Sequence, residues 1–380
     1  MIGVGVIGAG YIGNVHLETI NRIGGVKLRS VYDKNSKLSR EAAKTHNVDK
    51  VADRVDELIS DPEIDVVHVC SPNKYHFEQS LQVLNAGKNL FLEKPLAMTS
   101  KEGEKLVETA EEFNAITGIG FCYRYYPVVQ EMAHRIRNGA YGNVRMVTGS
   151  WLQDWLSQKN DYTWRLDSTQ SGKSNVAADL GSHWFDLVQF VTGLSVTDVF
   201  ADLATLIPER IKPKGQVLAF QKSESNANEL IKIEVEDYAS FTFRMKGIIP
   251  GSFTTSQVCP GRKSETEIQI YCSEGSLAWN HKRSDELWIG KRNGANEIFI
   301  ENPTLQSQDT AAYATLPAGH PLGYRDAMLN MLRNFYSAVE IGEEGDGDMR
   351  PTLETGLRQM KILDGVLESN SIKGWIRVKI

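Results

Sequence analysis

Three groups of residues in this 380-residue chain have types and spacing that could do chemistry. The first is Asp179-Leu180-Gly181-Ser182-His183-Trp184-Phe185-Asp186, near the middle. On a helix, Asp179 and His183 are four residues apart and share a face, and Asp186 follows three later on the same side. A carboxylate beside an imidazole holds the ring in one tautomer and tunes it for proton transfer near neutral pH. The same pair also suits an acid in a first helical turn and a histidine satisfied in the core, so the rest of the chain must decide. The second group is Glu93-Lys94-Pro95, directly after the apolar run at 89–92. A lysine between a strand end and a proline is held on a stiff backbone, in the sort of tight turn where a cis proline is found. A surface lysine before a helix-starting proline is the plainer alternative.

The third group is Gly8-Ala9-Gly10-Tyr11-Ile12-Gly13. It follows an apolar strand, opens a helix, and has an acid, Asp33, 20 residues after its last glycine. That context makes it a dinucleotide fingerprint rather than a chance glycine run. Gly8 allows the tight turn, Gly10 lets a pyrophosphate approach the backbone, and Gly13 lets helix and strand pack closely. Free N–H groups at the helix start face the phosphates. Asp33 is expected on the adenosine ribose hydroxyls, where its charge repels a 2′-phosphate. NAD is therefore expected over NADP, with Lys34 and Lys37 close enough to keep NADP open.

The elements that must position these groups alternate β and α through the first third of the chain. Strands are expected at 2–7, 26–32, 64–70, 89–92 and 115–121, and helices at 14–23, 39–46, 54–60, 77–86 and 99–113. Ser71-Pro72-Asn73-Lys74-Tyr75-His76 then lies at the carboxyl edge of a parallel sheet, where ligands of open α/β folds bind. From about residue 122 the texture changes. A basic aromatic connection, Tyr123-Arg124-Tyr125-Tyr126-Pro127, leads to a helix at 128–138. Trp151, Trp155, Tyr162, Trp164 and Trp184 crowd one stretch with Gln153, Asp154 and Arg165. Such aromatic faces suit a polyhydroxylated ligand, and equally suit core packing. Strands separated by short turns follow, expected at 145–153, 196–206, 231–246, 248–258, 265–273, 277–280 and 287–289. Helices at 322–341 and 353–369 and a strand at 375–380 close the chain. The expectation is an α/β protein of two domains. Residues 1–122 form a doubly wound parallel sheet that binds the dinucleotide, and residues 123–380 an α/β domain with an open, mostly antiparallel sheet.

Composition narrows the function class. Hydrophobic content of 41% and charged content of 24% are those of a globular protein. A net charge of −6 leaves no electrostatic footprint for nucleic acid or an anionic membrane. Cys70, Cys122, Cys259 and Cys272 are dispersed, with no metal-ligand spacing, so reduced thiols, a cytoplasmic location and no metal are expected. Met1 runs directly into a strand, with no signal-like start, and no run approaches 18 apolar residues. The run Glu343-Glu344-Gly345-Asp346-Gly347-Asp348 reads as an acidic solvated loop, because it lacks the ligand alternation and terminal Glu of an EF-hand.

Taken in order, Gly8 to Gly13, Asp33, Glu93-Lys94-Pro95 and Asp179-Leu180-Gly181-Ser182-His183 resemble the Gfo/Idh/MocA family of oxidoreductases, over essentially the whole chain. The resemblance implies a Rossmann domain, a C-terminal α/β domain whose open sheet forms a subunit interface, and a homodimer or homotetramer. It implies that Lys94, matching the lysine of the family's EKP motif, contacts the reacting hydroxyl and the nicotinamide ribose. His183, matching the DxGxH histidine, would accept the proton, and Asp179 would orient it or contact substrate. Ser71, Pro72, Asn73 and His76 match the cofactor loop, and Glu93 stands beside it. Trp164-Arg165 resembles a pair near the nicotinamide end. Tyr123, Arg124, Trp155 and His320, the last within His320-Pro321-Leu322-Gly323-Tyr324, are candidates for substrate contact. The expected activity is hydride transfer between NAD(P) and a secondary alcohol carbon of a sugar, polyol or related ring. Redox-neutral sugar chemistry and a non-catalytic sugar sensor are the rivals.

Overall fold

The computed structural model describes residues 1–213, 228–342 and 349–379. The acidic run at 343–348 and Ile380 lie outside the described residues. The chain forms two compact units, one of Met1–Phe121, Thr169–Gly172 and Met328–Met360, the other of Cys122–Ser168, Lys173–Ala327 and Lys361–Ile380.

In the first unit, β1 (Ile2–Ile7), β2 (Val26–Tyr32), β3 (Lys50–Val51), β4 (Val66–Val69), β5 (Asn89–Leu92) and β6 (Thr117–Ile119) alternate with α1 (Tyr11–Ile20), α2 (Ser36–His46), α3 (Val55–Ser60), α4 (His76–Asn85) and α5 (Ser100–Glu112). The sheet order is β3-β2-β1-β4-β5-β6, all parallel. The order reverses between β1 and β4, the switch point where doubly wound sheets take their ligand. Strands buried on both faces explain the unbroken apolar runs: Val4, Val6, Val67, Val69, Leu90 and Leu92 are fully buried. Helix α1 begins at Tyr11, three residues before the expected start. Gly10 is still extended and serves as its N-cap, so the first turn opens inside the glycine motif. Asn35 caps α2, and Thr99 and Glu102 form a reciprocal capping box on α5. The chain returns to this unit late: Leu353 and Met360 join its core, and the Ile119 amide donates to the Pro351 carbonyl at 2.9 Å.

The second unit is organised by a nine-stranded sheet in the order β16-β15-β14-β13-β7-β12-β11-β8-β17. Its strands are β7 (Val144–Leu152), β8 (Val196–Ala204), β11 (Tyr238–Met245), β12 (Ile249–Ser256), β13 (Glu265–Cys272), β14 (Gly275–Asn280), β15 (Glu286–Lys291), β16 (Glu297–Ile300) and β17 (Ile376–Arg377). A separate hairpin pairs β9 (Glu209–Pro213) with β10 (Asn228–Lys232). All sheet pairings are antiparallel except β7 with β12. The helices are α6 (Pro127–Arg137), α8 (Ser182–Thr192) and parts of α10 (Tyr324–Ile341) and α11 (Leu353–Ile372), with the single turn α9 (Gln308–Ala311), while most of the turn α7 (Ser168–Ser171) belongs to the first unit.

Register assigns the two faces. Leu287, Trp279, Ile268, Gly149, Phe253, Phe241 and Ala201 lie opposite one another across seven strands, on the face that α6 and α8 cover. Trp184 of α8 stacks on Phe253 at 4.2 Å. It packs so closely on β7 that a Cβ at Gly149 would lie 2.8 Å from its ring. The other face carries Ile298, Trp288, Ala278, Gln269, Thr148, Ser252, Thr242 and Phe200, all partly or fully exposed.

One expected strand, 231–246, is two. Between β10 and β11 the backbone leaves the extended path so that Glu236 and Asp237 can accept hydrogen bonds from elsewhere. Asp237 takes the amides of Leu206 and Ile207 at 2.7 and 3.0 Å, and Ile233 and Val235 pack with Leu156 and Leu166.

Candidate active site

The first unit supplies a dinucleotide turn. Two of its glycines are required by the protein itself. Gly8 has φ +100°, and a Cβ there would meet the Cys70 carbonyl at 2.7 Å. A Cβ on Gly13 would lie 1.9 Å from the Gly8 oxygen. Gly10 is different: its φ is −72° and a Cβ would meet nothing within 4 Å. No protein neighbour demands glycine there, which fits a position kept bare for a ligand's pyrophosphate. Ala9 is buried, while Tyr11 and Ile12 start the helix. Asp33, at the end of β2, accepts the Ala9 and Asn35 amides, each at 2.8 Å, one on each oxygen. That fixes its orientation and leaves each oxygen a lone pair for a ribose hydroxyl. Lys34 follows it, exposed.

The loop after β4 is tied to the loop after β5. Ser71 donates its hydroxyl to Gln79 at 2.6 Å, and Asn73 donates its side-chain amide to the Ser171 carbonyl at 3.0 Å. The His76 ring lies between the Ser71 carbonyl at 2.8 Å and the Pro95 carbonyl at 2.6 Å. Burial lowers His76 below the ordinary histidine range, while both carbonyls pull the other way. The Lys94–Pro95 peptide is cis. Lys94 is half-buried, and its backbone N–H donates to Glu93 Oε2 at 3.3 Å.

The second unit supplies the Asp179–His183 turn. Residues Ala177–Gly181 form a π-helical turn that runs straight into α8, so Asp179 sits in a widened turn just before the helix that carries His183. Three donors converge on Glu236 Oε1 at this helix start: the Ser174 hydroxyl at 2.6 Å and the Asn175 and Ala177 amides at 3.1 and 2.9 Å. A carboxylate there caps the helix and complements its dipole. Burial pushes the Glu236 carboxyl up, and these donors oppose the push. Gln257 donates to Asp179 Oδ2 at 3.0 Å and accepts from Asn175 at 2.9 Å. Arg165, laid over the Trp164 ring at 4.7 Å, reaches Asp179 Oδ1 at 3.5 Å. His183 is nearly buried, with Tyr123 and Trp151 rings at 5.3 and 5.8 Å. Burial holds the Tyr123 phenol well above its ordinary range, so it stays protonated and is no base.

Residues 2–121 match the family described as oxidoreductase family, NAD-binding Rossmann fold, and residues 129–278 match the GFO/IDH/MocA C-terminal domain. The chain belongs to the GFO/IDH/MocA family. A levoglucosan dehydrogenase from Pseudarthrobacter phenanthrenivorans is 26% identical over 99% of this chain and 98% of its own length. A glucose-6-phosphate 3-dehydrogenase from Bacillus subtilis is 25% identical over 97% and 96%. The solved structure of a levoglucosan dehydrogenase in complex with NADH and levoglucosan superposes with a TM-score of 0.89 at 24% identity, over the full length of both chains.

Against the GFO/IDH/MocA motifs, the candidate residues separate. Arg165 and Asp179 meet in one ion pair, with Tyr123 beside His183. Arg124 is engaged with Asp186: its guanidinium is buried in a two-pronged pair with that carboxylate and lies over Phe190. Trp155 donates to Gln153 at 2.7 Å and packs on the small Leu156 cluster, and Trp184 is core. His320 is on an exposed turn, its Nδ1 3.2 Å from the Pro317 carbonyl. Glu236 and Gln257 were missed because no local pattern marks a cap or orienting amide that arrives from a distant stretch. Among the described residues there is no group of three metal-ligating side chains and no helix long and apolar enough to cross a membrane.

Proposed function

We propose that the protein oxidises, reversibly, a secondary alcohol carbon of a sugar, polyol or related ring, with NAD rather than NADP as partner. NAD, when bound, supplies the hydride acceptor at the nicotinamide C4. The chain supplies the rest. His183 takes the hydroxyl proton as the carbon gives up hydride, so the alcohol becomes a ketone and the imidazole an imidazolium. Asp179 stabilises that imidazolium and fixes its orientation. Lys94, cationic, stabilises the oxygen as negative charge develops on it. Asp33 accepts from the ribose hydroxyls, and its charge disfavours a 2′-phosphate. The observation that carries this reading is Asp179 pinned by Gln257 and Arg165 one helical turn ahead of His183, in a chain of an NAD-binding oxidoreductase family.

A substrate screen at 340 nm tests it, with NAD and NADP run separately against levoglucosan, glucose 6-phosphate, inositols, free aldoses and sugar acids. NADH formation with one sugar class is the expected result. Silence in protein shown to bind NAD overturns it. A homodimer or homotetramer and a cytoplasmic location belong to the same proposal. The exposed sheet face with Trp288 and Met146 supports the first, and four free cysteines the second. Light scattering on the purified chain checks the assembly.

A further inference from the structure

Behind the Lys94 loop lies a line of four polar side chains that the proposed reaction does not use. His16 is on α1, His68 on β4, Glu93 at the end of β5, and Tyr336 on α10. His16 Nε2 is 3.0 Å from Glu93 Oε1, His16 Nδ1 is 2.8 Å from His68 Nδ1, and His68 Nε2 is 2.8 Å from the Tyr336 hydroxyl. Both imidazoles are 0% exposed, Tyr336 2% and Glu93 8%. Aromatic rings sheathe the line. Phe91 stacks on His68 at 5.0 Å and meets His16 edge-on at 5.4 Å, and Phe335 closes the other side of His68 at 6.2 Å.

With both imidazoles neutral, the Glu93 end settles which way the hydrogens point. A Glu93 carboxylate can only accept, so His16 carries its proton on Nε2. A neutral His16 then presents a bare Nδ1, and His68 must donate to it through its own Nδ1. That leaves His68 Nε2 as the acceptor for the Tyr336 hydroxyl. Every contact is satisfied with one charge in the line, and each donor points towards Glu93, an arrangement in which successive hydrogen bonds polarise one another. Burial, with His16 beside it, holds His68 well below the ordinary histidine range, so a second charge is disfavoured.

Glu93 is also fixed from its other sides. Its Oε2 accepts the Lys94 backbone N–H, and a Cβ at Gly120 would lie 2.5 Å from its Oε1. Titratable groups near it include Lys94 itself, Cys70, which burial and the Glu93 charge hold as the neutral thiol, and His76, between its two carbonyls. The line ends inside the protein at Tyr336, so it orients rather than delivers protons to solvent.

We infer that Tyr336, His68 and His16 form a one-way hydrogen-bond relay that holds Glu93 as an oriented carboxylate, and that all four are positioning residues for Lys94. The link to turnover rests on the reading of Lys94 as the catalytic cation.

Nitrogen-15 spectra of histidine-labelled enzyme with NAD bound test the relay without activity. His68 is expected as the Nδ1–H tautomer from about pH 6 to about pH 8, and His16 as the Nε2–H tautomer at about pH 8. His68 protonated on Nε2 in that range, or His16 carrying a proton on Nδ1 at about pH 8, overturns the relay. Tyr336→Phe keeps the ring and removes one donor. It is expected to lower kcat about fivefold, with the panel sugar that turns over fastest, while the NADH affinity read by fluorescence and the melting temperature stay near wild type. Wild-type kcat, or a loss of NADH affinity in its place, overturns the positioning role. Full turnover by Lys94→Ala would defeat the reading of Lys94 while the tautomers still stand or fall alone.

Discussion

The dinucleotide turn of the first unit is built from six consecutive residues, whereas the Asp179–His183 turn of the second is held by side chains from four separate stretches of chain. The first works through absence. Gly8 and Gly13 are glycine because backbone atoms stand where a Cβ would be. The second works through presence, since Glu236, Gln257 and Arg165 must each deliver a polar atom to the right place. A site made of backbone tolerates no added atom, and a site made of side chains tolerates no removed partner. The two should therefore fail differently.

The largest effect is expected where the chemistry is done. His183→Ala and Lys94→Ala should each lower kcat by a factor of roughly 10² or more, with the fold intact by circular dichroism. Near wild-type turnover in both variants would break the assignment of roles. Next come the glycines, which separate steric need from ligand need. Gly13→Ala should destabilise the protein by roughly 1–3 kcal/mol, because its Cβ must displace backbone. Gly10→Ala should melt like wild type and yet lose NADH binding by fluorescence titration. If both variants melt alike, the turn is not built as described.

A smaller effect is expected at the orienting amide. Gln257→Leu leaves Asp179 with Arg165 but without its side-chain amide donor. It should lower kcat about tenfold, the scale of one hydrogen bond to a charged group, with little change in the KM for NAD. A loss confined to the KM for the sugar would place Asp179 on substrate rather than on His183.

The same contrast decides how much could be seen from sequence. The parallel sheet, its switch point and the glycine turn are legible because neighbouring residues create them: apolar runs bounded by turns, and glycines at fixed offsets. The start of α1 at Tyr11 was not, since an extended Gly10 as N-cap leaves no side-chain signature. In the second unit, Asp179 and His183 stand out by spacing, but their supports do not. Glu236 lies in a stretch that reads as continuous strand, and only the helix start it caps explains why the strand breaks there. Arg124 shows the opposite case. An arginine amid tyrosines looks like a ligand contact, and its partner Asp186, 62 residues on, makes it a buried ion pair. His16, His68 and Tyr336 are silent in the same way, each unremarkable in its own helix or strand.

Burial of an acid gives the last and smallest test, and it sharpens the difference between the units. In the first unit burial drives His68 down and keeps it neutral. In the second, burial together with Asp285 and Asp326 drives the Glu301 carboxyl from 4.5 up to about 7. Glu301 is 5% exposed. Because its folded value is raised, the folded state binds the proton more tightly than the unfolded chain does. Its contribution to stability is therefore full below about pH 4.5 and is lost as pH rises towards 7. Glu301→Gln keeps the neutral shape at every pH. At about pH 5 the variant should melt close to wild type, and at about pH 8 it should be the more stable by on the order of 1 kcal/mol. An equal difference in melting temperature at the two pH values would show that Glu301 keeps its charge in the folded protein, and that the second unit, like the first, holds its buried acid as an oriented anion.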